Sequence, residues 1–207
     1  MNLFTSFVEL TYALDGERSE VARITLPAQF EPRFDYNFTL TVSSRQIRVD
    51  TLNTDFPTRH HLNYNFPVVG FSFAPLYVPN HRFKYGISLD VLYDRGSNVK
   101  AWREQDPLTG NMHDRIRLAP VSERFLVGLS ARGEITTPLY TVFANFGYNL
   151  IQQTNDPRLY QIMGIKIYPH ESLFATFGIR AHHFSRAHFL YLSLGYTLKG
   201  RPVTRRR

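Results

Sequence analysis

The chain contains no cysteine among its 207 residues, which removes disulfides, thiol nucleophiles and thiolate metal sites. It lacks any apolar run approaching the ~20 residues that a membrane-crossing helix needs, so a helical membrane protein is excluded. Tryptophan is nearly missing, with Trp102 the single one. A basic stripe is missing too. The 24 Lys and Arg outnumber the 17 Asp and Glu to give a net charge of +7, yet they are scattered and cluster densely only at Arg205, Arg206 and Arg207. Scattered charge gives no footprint for a duplex, so no nucleic-acid partner is expected. The histidines show no i, i+2 pairing with carboxylates, and His60-His61 alone falls short of the three or four convergent ligands zinc requires. Neither a metal nor a cofactor is expected. Met1 to Val8 has no basic n-region and Glu9 interrupts its apolar stretch, so an exported chain of this sequence is expected to be a mature or truncated form.

What the chain does have is alternation. Leu190, Leu192, Leu194, Tyr196 and Leu198 alternate with Phe189, Tyr191, Ser193, Gly195 and Thr197. Successive strand side chains point to opposite sides of a sheet, so this spacing sets an apolar face against a small or polar one. The mean hydropathy of −0.27 resembles that of a soluble protein. A barrel in lipid has that value because only every second residue faces the bilayer. Aromatics make up 14%, as 12 Tyr and 17 Phe beside the lone Trp, and rings at strand ends suit a membrane interface.

Eight strands are expected. They run from Tyr36 to Ser44, Leu62 to Tyr77, Phe83 to Asp94, Phe125 to Glu134, Tyr140 to Asn149, Leu159 to Ile167, Leu173 to His182 and Phe189 to Leu198. In the second, apolar parity switches from Tyr64, Phe66 and Val68 to Val69, Phe71 and Phe73, which predicts a β-bulge beside Pro67. In the sixth, Gln161 stands out of pattern. Short turns at 79–82, 136–138 and 169–172 take turns with loops at 49–61, 96–121 and 152–157. Three parts follow: residues 1–33 as an N-terminal strand pair or extension, 34–198 as the barrel, and 199–207 as a basic tail. The pair in 1–33 would bring the barrel to ten strands.

Periodicity does not distinguish an apolar exterior from the apolar lumen of a soluble lipid carrier, so the polar face decides. It is largely Gly, Ser, Thr and Asn, with few charges of both signs: Lys84, Asp90, Asp94, Arg132, Glu134, Lys166 and Arg180. Small residues fill a narrow interior, and mixed charges pair there and plug it. The expected fold is all-β, a closed antiparallel up-and-down transmembrane β-barrel in the outer membrane of a Gram-negative cell.

The seventh strand ends in Ala181-His182-His183-Phe184-Ser185-Arg186. His183 and Ser185 share parity with Ile179 and Ala181, which assigns both to the lipid-side wall at the external end. A histidine that takes the proton of a serine hydroxyl begins nucleophilic acyl transfer, and there it would address lipid esters. Interfacial strand ends carry the same residue types for packing alone, so the pair is a weak motif by itself. In the loop from Gly96 to Pro120, Lys100, Arg103, Arg115 and Arg117 stand beside Trp102. The guanidinium forks of these three arginines and of Arg186, with the Lys100 ammonium beside them, suit lipopolysaccharide phosphates.

The stretch Gly178-Ile179-Arg180-Ala181-His182-His183-Phe184-Ser185 resembles the active-site strand of outer-membrane lipid A 3-O-deacylases. Leu159 to Leu198 more broadly resembles the ends of acyloxyacyl hydrolase-like barrels, of which the chain looks like a divergent member or a C-terminal portion. The resemblance implies His183 as general base, Ser185 as nucleophile and lipid A as partner. It also marks departures: Arg186 stands where the family has Asn, and the acid that orients the histidine falls near Leu190, leaving Asp156 as the external carboxylate to test. The alternative is a non-enzymatic structural or lipopolysaccharide-binding barrel.

Overall fold

The alternating segments become strands in the computed structural model, which describes residues 30–50, 59–105, 112–153, 156–182 and 186–203. In chain order they are β1 (Arg33–Asp50), β2 (Arg59–Val78), β3 (Phe83–Asp94), β4 (Lys100–Gln105), β5 (Met112–Arg117), β6 (Phe125–Thr136), β7 (Thr141–Ile151), β8 (Leu159–Ile167), β9 (Leu173–His182) and β10 (Arg186–Pro202), with one 3-10 turn at Val121–Arg124. Eight of them close into an antiparallel ring in the order β1-β10-β9-β8-β7-β6-β3-β2. The ring thus closes at eight strands, and the pair expected within 1–33 falls almost wholly outside the described residues. Turns at 79–82, 137–140 and 168–172 gather at one end, and the opposite ends of the same strands carry the longer connections, one of which holds β4 and β5.

The outer face is apolar around the whole ring. Ile87, Phe146, Phe177, Leu192 and Leu194 are exposed there, while their chain neighbours Ser88, Asn145, Thr176 and Ser193 are buried within. A water-soluble monomer rarely shows an apolar patch beyond a few hundred Å². Inside, the mixed charges pair as expected. Glu134 accepts from Arg132 at 2.7 Å and from Lys166 at 2.6 Å, and Asp35 is paired with Arg33 at 2.9 Å and Lys84 at 3.2 Å. Asp90 accepts from Ser88 at 2.8 Å, Ser130 at 3.1 Å and the Tyr160 hydroxyl at 2.6 Å. The Arg180 guanidinium lies 4.0 Å from the Tyr160 ring centre and donates to Asn149 at 3.1 Å.

Large inward side chains fit where a strand opposite carries glycine. A Cβ built on Gly195 would run into three atoms of the Phe174 ring, and one on Gly147 would run into Tyr160. Gly195→Leu is therefore expected to cost about 3 kcal/mol, at the upper end of ordinary overpacking. The urea midpoint of the refolded barrel measures it, and Phe174→Ala in the same chain should recover part of the loss.

Two expectations are corrected. No register shift occurs at Pro67, which pairs in step with Ser44; the irregularity lies nearer the strand's start, between Gln46↔Asn65 and Arg48↔His61. The parity switch has another cause. Phe66 and Val68 face inward, and Val68 joins an interior apolar cluster with Leu92, Leu126, Phe143, Tyr160, Ile162, Phe189 and Tyr191. The interior is therefore not uniformly small and polar. Residues 96–121 are not wholly loop either, because β4 and β5 pair within them as a hairpin.

Candidate functional site

The end of the ring with the longer connections gathers polar groups on two surfaces. On the outer wall, Gln161 of β8 pairs with Phe146 of β7 on one side and Ala181 of β9 on the other, and Ala181 pairs with Ala187 of β10. Tyr160 and Ile162 are buried in the interior, so alternation places Gln161 outward. It is nonetheless only 6% exposed, between Leu159 and Met163 at 52% and 45%. The row Phe146, Gln161, Ala181, Ala187 thus sets one sheltered amide beside two alanines in a wall otherwise lined by larger apolar side chains. The pattern break at Gln161 was visible in the sequence, but its placement on the wall came only from the register.

β10 carries the irregularity that β2 lacks at Pro67. Ala187 opposes Ala181 and Phe189 opposes Arg180, so His188 is an extra residue in the strand. This bulge turns His188 toward the interior. There its Nε2 meets Arg45 Nη1 and lies 3.9 Å from Asp94 and 3.8 Å from Asp156. Arginine has only donors, so His188 Nε2 accepts and its ring proton sits on Nδ1. Arg45 also pairs with Asp94 at 3.0 Å and reaches Asp156 at 3.6 Å. His182 packs edge-on against His188, with ring centres 4.7 Å apart, and its Nδ1 donates to the Leu159 carbonyl at 3.0 Å. Beside this network a cleft of about 340 Å³ is lined by Arg45, Gln46, Ile47, Gly96, Asn98, Val99 and Asp156. Chemically the network ties β1, β3, β9 and β10 together at the rim and holds the ends of β9 and β10 in place. Among the described residues no group of three His, Asp or Glu is placed to hold a metal ion.

The residues singled out from the sequence fare unequally. His183 and Ser185 lie outside the described residues, between the paired His182 and Arg186. Arg103 opposes Asp114 on the β4–β5 hairpin, where Arg115 and Arg117 are exposed. Arg186 opens β10, three places around the ring from β3. Asp156 is engaged by Arg45 and His188 at the inner rim. Leu190 opposes Ile179, four residues before position 183. The outward position beside the end of β9 is Ala187.

Residues 34–200 match the protein family described as acyloxyacyl hydrolase, C-terminal domain. Among solved structures, the chain is similar to Ail, the attachment invasion locus protein of Yersinia pestis, in its complex with the heparin analogue sucrose octasulfate. The two are 9% identical, with a TM-score of 0.40 over 80% of this chain and 99% of that one. No curated protein matches the chain.

Proposed function

The chain belongs to the acyloxyacyl hydrolase C-terminal-domain family, and from that premise we propose that it acts on lipid A in the outer membrane of a Gram-negative cell by cleaving an ester-linked acyl chain. The observation that carries this reading is the sheltered Gln161 amide beside Ala181 and Ala187 on the apolar outer wall, at the ends of the two strands that His183-Phe184-Ser185 joins in sequence. Acyl chains wet this wall, and an ester at the leaflet boundary comes level with the pair. His183 takes the Ser185 proton, and Oγ attacks the ester carbonyl. The bond to the sugar oxygen breaks, and that oxygen leaves with the proton from the imidazolium. Water, deprotonated by the same histidine, then releases the fatty acid from the serine. His182 is buried at the inner rim with its ring against His188, which leaves His183 as the base. A mass-spectrometric profile of lipid A from cells making the chain tests this: one ester-linked acyl chain should be lost, and an unchanged profile from folded protein would refute hydrolysis.

One observation favours a second reading, a barrel that binds lipopolysaccharide without cleaving it. The wall position suited to the acid is Ala187, which cannot orient a base. If hydrolysis proceeds without that acid, Ala187→Glu is expected to raise the deacylation rate by about tenfold or more, since removing such an orienting carboxylate costs a triad about 10⁴. A rate equal to that of the unaltered chain would show that histidine orientation does not limit the reaction.

A further inference from the structure

The β4–β5 hairpin has two unlike faces. Val99, Ala101 and Leu118 pack with Ile47 against Phe66 and seat the hairpin on the β1–β2 pair. Lys100 and Trp102 flank Ala101 and therefore lie on the other face, where Lys100 opposes Arg117 and Trp102 opposes Arg115. All four are exposed, Trp102 at 47%. Two cations directly opposite each other on one sheet face repel, so the Lys100–Arg117 pair weakens the hairpin unless an anion sits between them. Among the described residues neither has an acidic partner.

Position adds a second constraint. The hairpin springs from the tops of β3 and β6, where Tyr93 and Phe125 pack 5.2 Å apart and Arg124 donates to the Tyr93 hydroxyl at 2.9 Å. Such ring pairs mark the level where the apolar belt ends and polar headgroups begin. An indole among cations just above that level has its apolar body toward acyl chains and its N–H toward polar groups.

We propose that Lys100, Arg115 and Arg117, arranged around Trp102, form a docking face for the phosphate groups of lipid headgroups in the leaflet at the long-connection end of the barrel. The face rests on the barrel lying in a membrane and is independent of hydrolysis. Phosphate oxygens between Lys100 and Arg117 relieve their repulsion and fix the hairpin over the bilayer surface. Phosphorylated headgroups are favoured over a soluble anion because the indole needs an apolar surface at the same point.

The chain carries its own reporter, since Trp102 is the sole tryptophan. The full chain, folded in maltoside micelles free of phosphate, is titrated with bisphosphorylated lipid A while Trp102 emission is followed. A shift to shorter wavelength is expected, weakened by added salt. The double variant Lys100→Ala/Arg117→Ala should bind about tenfold more weakly or worse, the loss expected for two charge-assisted contacts. Heat-modifiable gel migration of the variant should be unchanged, because both side chains are exposed. Equal binding by the double variant, or an equal shift with dephosphorylated lipid A, overturns the proposal. An equal shift with inorganic phosphate alone assigns the face to a soluble anion and overturns the lipid source. Failure of the membrane premise shows separately, as a chain that never migrates as a folded barrel in micelles, and Ser185→Ala should leave the titration unchanged.

Discussion

Cells making the Ser185→Ala variant are expected to retain every ester-linked acyl chain that the unaltered chain removes from lipid A. The fall in rate should be at least about a thousandfold, because removing a nucleophile abolishes the covalent route and leaves only the weak help of binding. His183→Ala should fall as far. The pair acts as a unit, so the double variant should cost no more than either change alone. That failure to add separates a reacting pair from two packing residues, whose losses would sum. The barrel should survive both changes, since the strands on either side are already held by the pairs His182↔Arg186 and Ala181↔Ala187. Folded variants with unchanged heat-modifiable migration and an intact deacylation rate would move the nucleophile elsewhere. Lipid A that the unaltered chain also leaves untouched would leave the binding role.

The second large effect lies deep in the lumen. Glu134 is buried and holds two cations at once, Arg132 at 2.7 Å and Lys166 at 2.6 Å, with Lys166 itself buried 4.4 Å from the centre of the Phe174 ring. Glu134→Ala leaves both cations facing each other with no counter-charge, and breaking a buried pair in this way costs about 3–5 kcal/mol. A marked fall in the urea midpoint of the barrel refolded in lipid vesicles is the expected readout. Glu134→Gln combined with Lys166→Met removes one charge of each sign and should recover most of the loss, with Arg132 still resting 4.6 Å from the Phe143 ring centre. A double variant as unstable as Glu134→Ala would show that shape, not charge balance, governs this layer.

Much of the ring was legible because one rule acts on every second residue. Ile87, Leu129, Phe177 and Leu192 share a parity and an outer face, and strand limits at the short turns follow from Pro79, Pro138 and Pro169. Legibility failed where the interior broke its own rule. Phe66 and Val68 are as apolar as any outward residue, and periodicity carries no sign to tell inside from outside, so their inward turn looked like a slip. The bulge at His188 has no local signature, since Ala187-His188-Phe189 reads as continuous strand. The hairpin was hidden because its apolar contribution is limited to residues such as Ala101 and Ile116 among charges. The His183 and Ser185 motif was readable as residue types. What the sequence withheld was register, and register alone shows that Ala187, not Leu190, neighbours the end of β9.

The seam of the ring joins its first strand to its last: the Thr197 hydroxyl donates to Asn37 at 2.8 Å across 160 residues of chain. Until β10 arrives, β1 and β9 are two bare edges with their backbone groups open to any passing strand. Closure of the ring consequently waits for β10, whose pairing is a single event that both hides the edges and completes the ring. Loss of the seam should therefore leave aggregates in which β1 and β9 are paired with strands from other chains.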